Sequence, residues 1–440
     1  MTPVTLWTGQ QARALRGALR MSVRTFAEYL GVAPRTVAYW ESGGARTQPR
    51  AEMQELLDTT LRRAPDHTKI LFEQLRIQQQ EGLLMGHREG QDGEVNRRSF
   101  LPATALPLAG AAIAPLTAGM SAIVSLLTPF DHEPSAAGTS TPLHSIAQAK
   151  GMVGQAKSLY QACRYDETLQ LLPDLLVGLG QLARVTDGDQ RLRISTLAAD
   201  TYHVVASVLL KLDDTVLATL AARRALREAQ ASGDPIALAA SSRIMTHVFM
   251  SAGHNSRAVT LAAQAAQALR SDQRWSTPDG LSVLGALVLR AAVAAARGGD
   301  REAAAVLLDE AEIAAARFGR DANDRWTGFG PTNVQLHRVN VALVLGDAGT
   351  AIDLAHRVDS GKIQLLERKA CLFTDVAQAY LQWGKHAQAL TALENADRIA
   401  PEEVRTRSTG RRICADLLVT ARGPVRDRAI SFATRAGLHR

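Results

Sequence analysis

The sequence predicts an all-α protein. Its 440 residues are 46% hydrophobic but only 5% aromatic, so alanine and leucine must fill the interior, and both favour helix. Strand-length runs of β-branched and aromatic residues are scarce. From about Pro142 onward, polar or glycine-containing turns alternate with alanine-rich stretches. The chain is too long for one hydrophobic core, so we expect roughly two to four units.

The stretch from Val23 to Ser42 predicts two short helices joined by a sharp turn. Gly31 suits the turn, where a side chain would be strained, and Pro34 suits the first turn of the second helix. The positions expected to face inward are apolar: Phe26, Ala27, Leu30, Val32, Val37 and Trp40. The opposite side of the second helix carries Arg35, Thr36 and Tyr39.

This spacing resembles the helix-turn-helix of the phage-repressor type (XRE family), whose second helix enters the major groove of DNA. An ordinary helical hairpin with a glycine turn is the alternative. The guanidinium of Arg35 has the geometry to contact guanine O6 and N7, and Thr36 and Tyr39 are expected to contact base edges. The residues expected to bind phosphates, unless they are merely solvated, are Arg24, Arg46, Thr47, Gln48 and Arg50.

We expect this DNA-binding domain to occupy residues 1–64, which contain nine arginines and five acidic residues, an excess of four positive charges. Thr8 is a predicted cap for a helix beginning at Gln10, and Pro49 is predicted to start the last helix of the domain. The whole chain has a net charge of +7 and a pI of about 9.6, which suits a polyanionic partner.

Residues 65–141 are predicted to be a connecting region, with a linker helix over Asp66–Met85 and an apolar, proline-containing segment. Residues 97–101 of this region, R-R-S-F-L, resemble a twin-arginine export signal, and the chain is uncharged over 99–130. The segment's prolines, its small residues and its internal position favour a soluble segment packed on the second domain or on a partner subunit. Membrane attachment is the alternative.

Residues 142–440 are predicted to form paired helices that stack on one another. Predicted turns lie at Tyr165-Asp166, Asp213-Asp214, Gly253-His254, Gly299-Asp300, Gly346-Asp347, Gly384-Lys385 and Gly423-Pro424. Small residues follow these turns at Ala218, Ala258, Ala303, Ala351, Ala389 and Ala429. Helix pairs of this kind bury their apolar faces by stacking into an α-solenoid. The pattern resembles the tetratricopeptide repeat family, with longer periods.

The inner face of such a solenoid is the second predicted site. Asn333, His337 and Asn340 share one helix face, where asparagine amides can pair with a peptide backbone. Arg243, His247 and Arg290 are the other predicted ligand-binding residues, with Lys369, Asp375 and Gln378 as weaker candidates. Trp326 and Phe329 are either a hydrophobic anchor or a cover for the edge of the solenoid. The alternative for the whole set is that these side chains satisfy neighbouring helix ends.

Enzyme signatures are lacking in the sequence: it contains no Walker loop, no dinucleotide-binding glycine motif and no nucleophile elbow. Cys163, Cys371 and Cys414 are far apart, so neither a zinc site nor a disulfide framework is expected, and we predict no cofactor. The first twenty residues lack a signal peptide's apolar block, which favours a cytoplasmic protein.

The complete layout resembles the helix-turn-helix plus tetratricopeptide regulators of Gram-positive bacteria, especially actinomycetes. That resemblance implies a homodimeric transcription factor that binds double-stranded DNA. It also implies a repeat domain that takes a signalling ligand, as in quorum sensing, either a short peptide or a small molecule. The alternative function is a protein-interaction scaffold with an accessory or vestigial DNA-binding domain.

Overall fold

The computed structural model describes residues 7–19, 21, 23–43, 47–64, 68, 72, 114–128 and 143–438. Every regular element in those ranges is a helix, which confirms the all-α prediction. Contacts divide the chain into two units, residues 1–106 and residues 107–440. The region predicted to connect the domains therefore contributes to both units.

The described part of the N-terminal unit contains four helices. They are α1 (Gly9–Ala18), α2 (Val23–Leu30), α3 (Pro34–Gly43) and α4 (Ala51–Arg63). The predicted cap of α1 is confirmed, because the Thr8 side chain accepts from the backbone N–H of Gln11 while the Gln11 side chain accepts from that of Thr8. Helix α4 begins at Ala51 rather than at the predicted Pro49, because Arg50 is still extended and takes the N-cap position.

The turn between α2 and α3 follows the prediction. Gly31 has φ +68°, a left-handed conformation that a side chain would strain. Helix α3 packs against both α1 and α2. Phe26, Ala27, Leu30, Val37 and Trp40 are buried and Val32 is half-buried, as predicted.

Trp7 and Phe72 complete the core of the N-terminal unit. Their rings lie 5.5 Å apart, and the Trp7 indole N–H donates to Asp58 at 2.8 Å. Of the predicted linker helix over Asp66–Met85, only Thr68 and Phe72 lie within the described residues, and both are helical and buried. The remainder of that prediction falls outside them.

The C-terminal unit begins with α5 (Ala114–Leu127), which packs against the third helix of the unit. Ile123 and Leu127 of α5 are buried there. A Cβ on Gly119 would lie 2.7 Å from the carbonyl oxygen of Leu169, so the two backbones touch. The described part of the apolar segment, α5, thus packs against the rest of the second unit.

Seven helix pairs follow. They are α6 (Ile146–Gln161) with α7 (Tyr165–Arg184), α8 (Gly188–Lys211) with α9 (Thr215–Ser232), α10 (Pro235–Ser251) with α11 (Asn255–Arg270), α12 (Pro278–Arg297) with α13 (Arg301–Phe318), α14 (Pro331–Val344) with α15 (Ala348–Arg357), α16 (Leu366–Gln382) with α17 (His386–Ile399), and α19 (Ser408–Thr420) with α20 (Gly423–Ala436). A one-turn helix, α18 (Pro401–Thr406), precedes the last pair. Helices α6, α8, α10, α12, α14 and α16 each contact the next in that series.

The first six pairs share one turn geometry. The middle residue of each turn has a φ between 59° and 86°: Cys163, Asp213, Gly253, Gly299, Gly346 and Gly384. Five positions later a small side chain is almost fully buried: Thr168, Ala218, Ala258, Ala304, Ala351 and Ala389. The prediction that Ala303 is the small residue at the helix crossing is therefore wrong by one position. The buried residue is Ala304, five positions after the left-handed Gly299.

Helix α12 lies at the centre of the array. By length and composition alone it could cross a membrane, but 89% of its most apolar window is buried inside the fold. Gly285 of α12 lies under the ring of Phe329, where a Cβ would come within 2.0 Å of the ring. Phe329 is fully buried, which places it in the edge-covering role rather than that of an exposed anchor.

Candidate functional site

The outer side of α3 carries the residues predicted to contact bases. Arg35 is exposed and Thr36 is half-buried. Tyr39 keeps 68% of its surface accessible, which is unusual for a large aromatic side chain. Among the predicted phosphate contacts, the side chain of Arg24 and all of Arg46 lie outside the described residues. The described outer side of α3 thus carries an arginine, a threonine and an exposed tyrosine.

A partly buried ion pair between Arg16 and Glu41 joins α1 to α3. Arg16 donates to both carboxylate oxygens of Glu41, at 2.6 and 2.8 Å, and to the carbonyl of Met21 at 2.9 Å. The hydrogen bond to Glu41 raises the pKa of Arg16. Glu41 therefore braces α3 against α1.

The loop after α3 is tied to α1 and α4. The backbone N–H of Gly9 donates to the carbonyl of Thr47 at 2.8 Å, and the Gln54 side chain donates to the carbonyl of Pro49 at 3.0 Å. Three predicted phosphate contacts lie in this loop: half-buried Thr47 and exposed Gln48 and Arg50. These two hydrogen bonds fix residues 47–50 relative to α1 and α4.

The second candidate site is a cavity of about 500 Å³ in the C-terminal unit. Its wall contains all six residues predicted to bind ligand: Arg243, His247, Arg290, Asn333, His337 and Asn340. Asp375 lines it too, whereas Lys369 and Gln378 are not among its lining residues. The predicted face of α14 therefore meets the predicted arginines in one place.

The first helix of each pair from α10 to α16 (α10, α12, α14 and α16) contributes a row of polar side chains at helical spacing to the cavity wall. The rows are Arg243 and His247 on α10, Arg290 and Arg297 on α12, Asn333, His337 and Asn340 on α14, and Arg368, Cys371 and Asp375 on α16. Arg297, Arg368 and Cys371 were not predicted. The helical spacing of Arg297 from Arg290, and of Arg368 and Cys371 from Asp375, was visible in the sequence. That spacing would have been enough to predict the rows on α12 and α16.

The wall of the cavity is closed by contacts between the beginning and the end of the array. Lys211, at the end of α8, donates to Glu367 at 2.7 Å and to the two oxygens of Glu403 at 2.8 and 3.0 Å. Arg407 donates to Glu403 at 2.7 Å, and the hydroxyl of Tyr165 donates to the same carboxylate. Four elements far apart in sequence, α7, α8, α16 and α18, are therefore joined by one buried network.

This closing network keeps its charges. Burial opposes the ammonium of Lys211, but Glu367 and Glu403 outweigh burial and raise its pKa well above the usual value. Glu367, Cys371 and Glu403 offer three possible metal-ligand atoms within 4.8 Å of one another. The Lys211 ammonium already lies between the two carboxylates, and burial raises the pKa of the Cys371 thiol, so the arrangement functions as an ion-pair network.

A second contact closes the array nearby. The carboxylate of Asp213, in the turn after α8, accepts from the backbone N–H and the hydroxyl of Ser408 at 3.2 and 3.0 Å. Ser408 is the first residue of α19, so Asp213 satisfies a helix N-terminus that would otherwise lack an acceptor. Both residues also line the cavity.

The three predicted residues of α14 have different hydrogen-bond states. His337 Nδ1 lies 2.9 Å from the Asn333 carbonyl, which requires that this nitrogen carry the proton. Burial lowers the pKa of His337 to about 3, so the ring is neutral at pH 7. Asn340 donates to Asp375 at 2.9 Å, whereas the buried side-chain oxygen of Asn333 has no hydrogen-bond partner among the described residues.

The predicted arginines lack acidic partners. Within the described residues, Arg243 and Arg290 have no carboxylate within 4.0 Å, and the Nε of each is buried without an acceptor. Burial, together with Arg368 and the other arginines, lowers the pKa of Arg243 to about 10 and that of Arg290 to about 9. These values are low for arginine, and they indicate concentrated positive charge.

Trp326 forms part of the same wall. It and Arg325 have φ values of 59° and 50°, a conformation rarely adopted by non-glycine residues. The Gln161 side chain donates to the Trp326 carbonyl at 3.2 Å and exchanges hydrogen bonds with Asn323. Contacts from α6 thus hold this strained segment beside the cavity, a position typical of ligand-binding segments.

No protein-family model and no curated protein matches this chain.

Proposed function

We propose that this chain is a sequence-specific DNA-binding regulator of transcription, with a helix-turn-helix head and a tetratricopeptide-like α-solenoid. The observation that carries the proposal is the unit formed by α2, the Gly31 turn and α3. Its apolar side is packed, while the exposed side chains of Arg35 and Tyr39 lie on the other side. An excess of four positive charges over residues 1–64 favours a polyanionic partner.

The repeated turns support the assignment of the second half. A left-handed turn residue, followed five positions later by a buried small residue, allows the two helices of a pair to cross closely. Successive inner helices contact one another, so each pair covers an apolar face that it could not bury alone. These are the properties expected of a tetratricopeptide-like solenoid.

The cavity supplies the proposed sensor function. We assign to it a signalling ligand, which alters DNA binding by favouring one arrangement of the protein over another. We propose that the protein is cytoplasmic and that it acts as a homodimer. In a homodimer, two DNA-binding heads would read half-sites roughly 34–36 Å apart on one face of DNA. The C-terminal unit is the proposed dimerisation domain.

The test is selection of bound fragments from sheared genomic DNA, followed by footprinting of the enriched sequence. Arg35→Ala is expected to lower affinity for that sequence by about 10-fold or more, in line with loss of a bidentate base contact. Arg62→Ala, which removes an exposed arginine from α4, is the matched control and should retain specific binding.

Other variants separate the contributions. Arg50→Ala should weaken binding to all sequences alike and reduce its salt dependence, because a phosphate contact carries no base information. Unaltered footprinting by Arg35→Ala would refute the role of that residue. If the wild-type protein showed no preference for any fragment over random competitor, the interaction-scaffold alternative would replace this proposal.

A further inference from the structure

The charge on the cavity wall is unbalanced. Six permanently basic side chains line it: Lys211, Arg243, Arg290, Arg297, Arg368 and Arg407. Three acidic side chains line it: Asp213, Glu367 and Asp375. The wall therefore carries an excess of three positive charges, whereas buried charges in a stable protein are normally paired.

The excess is localised on one part of the wall. Lys211 and Arg407 are neutralised within the closing network by the two carboxylates of Glu367 and Glu403. Arg368 has only a 3.5 Å contact with Glu367, a carboxylate already bonded to Lys211. Together with the unpaired arginines of α10 and α12, Arg368 forms the positive side of the cavity.

Unsatisfied donors lie on that same side. The Nε atoms of Arg243, Arg290 and Arg368 are buried and have no acceptor among the described residues. An unpaired buried donor is costly, and a charged one is more so. Ligand oxygens carrying negative charge would satisfy all three guanidinium groups, and guanidinium binds both phosphate and carboxylate oxygens in a bidentate manner.

Helix α14, which packs between α12 and α16, adds acceptors beside these arginines. Asn333 is 4% exposed, and its side-chain oxygen lacks a donor. The Nδ1–H of His337 is used by a backbone carbonyl, which leaves Nε2 as an unprotonated acceptor. A hydroxyl or N–H group on the ligand would complement these two atoms.

The size and closure of the cavity limit the ligand further. A volume of about 500 Å³ lies within the range of small-molecule sites. The closing network joins α8 to α16 and α18, so contacts between the beginning and the end of the array bound one side of the cavity.

From these observations we infer that the cavity binds a small organic molecule carrying at least two phosphate or carboxylate groups and at least one hydrogen-bond donor. Arg243, Arg290 and Arg368 bind its anionic groups, and Asn333 accepts from its donor. This inference depends on the proposed sensor function only for its regulatory meaning, since anion binding can be measured without DNA.

The experiment is calorimetric titration of the full chain with pyrophosphate, citrate and uncharged erythritol at matched ionic strength. Saturable binding of one equivalent of pyrophosphate or citrate is expected, and erythritol should not bind. Stronger binding of pyrophosphate would assign the site to phosphoryl groups, and stronger binding of citrate to carboxylates. Failure of both anions to bind saturably at millimolar concentration would overturn the inference.

Variants test the residues. Arg290→Gln is expected to lower anion affinity at least 10-fold, whereas Arg223→Gln, an exposed arginine of α9 outside the cavity, should leave it unchanged. In the absence of anion, Arg290→Gln should raise the melting temperature, because it removes unpaired buried charge. Equal affinity in wild type and Arg290→Gln, or a lower melting temperature without anion, would contradict the assignment.

A DNA-binding arm separates the two proposals. If anions bind and Arg290→Gln weakens them, yet occupancy never changes DNA affinity, the cavity assignment stands and the sensor function is wrong. If DNA binding is specific but no anion binds, the regulator stands and the ligand class is wrong.

Discussion

Replacing Lys211 by Met tests the buried network that closes the helix array. Methionine keeps the length of the side chain and removes its charge. Glu367 and Glu403 would then face each other without the ammonium, in a site where Lys211, Glu367 and Glu403 are 6%, 7% and 2% exposed. We expect the C-terminal unit to lose several kilocalories per mole of stability.

The magnitude follows from which charges remain unpaired. Removing one partner of a buried ion pair typically costs about 3–5 kcal/mol, because the other charge stays buried. Here Arg407 still donates to Glu403, so the main uncompensated group is Glu367. The expected loss is therefore about 3 kcal/mol at pH 7, the lower end of that range.

The assay is urea unfolding of the full chain, with hydrogen exchange measured by mass spectrometry to locate the effect. Protection of backbone amides against exchange should be lost first at the end of α8 and in α16 and α18. Arg301→Met is the matched control, because Arg301 pairs with Asp347 on the surface, where its side chain is 60% exposed. That substitution should leave stability nearly unchanged, because solvent screens an exposed ion pair.

The pH dependence has a defined sign. In the wild type, burial opposes ionisation of Glu367, but Lys211 and Arg368 outweigh burial and lower its pKa. This contribution to stability is present above the unfolded pKa and is lost as pH falls. In Lys211→Met the carboxylates take up protons more readily, so the difference between the two proteins should narrow below about pH 5. A loss no greater than that of Arg301→Met at pH 7 would refute the reasoning.

Three further predictions concern the same unit. Burial depresses the pKa of His337 to about 3, so its contribution to stability should fall by about 2 kcal/mol between pH 7 and pH 5, and urea unfolding of His337→Gln should show a pH dependence smaller by that amount, the remainder coming from buried His203 and His247. Burial raises the pKa of Asp375 to about 6, so Asp375→Asn should stabilise the protein by up to about 3 kcal/mol at pH 8, and the gain should disappear by pH 4; an equal effect at both pH values would contradict this. Gly285→Ala should cost about 1–3 kcal/mol because its Cβ would meet the Phe329 ring at 2.0 Å, whereas Gly151→Ala, with open space around it, should be neutral or stabilising by thermal melting.

Local patterns in the sequence predicted much of the fold. Spacing of three and four residues identified the buried faces of α2 and α3, because such residues lie on one side of a helix. The capped start of α1 and the left-handed Gly31 were predictable because they depend on a few neighbouring residues. The error at Ala303 has the same origin: a turn read from composition leaves the register uncertain by one position, and only the backbone conformation of Gly299 defines it.

The candidate cavity was predictable only in part. Arg243, His247 and the polar face of α14 were visible as stripes on otherwise apolar helices. Lys211 and Glu403 were not, because each is an ordinary charged residue at a helix end and they are separated by nearly half of the chain. Periodicity describes one helix at a time and contains no information on which distant helices meet.

The amino-acid sequence by itself determined the all-helical class, the position of the turns and the inward faces of the helices, since these depend on interactions between residues a few positions apart. Tertiary structure alone decided that the two ends of the array meet and that five arginines share one cavity. The physical reason is that the closure depends on burying Lys211 with two carboxylates from remote helices, a cooperative event whose free energy exists only when all three groups are brought together.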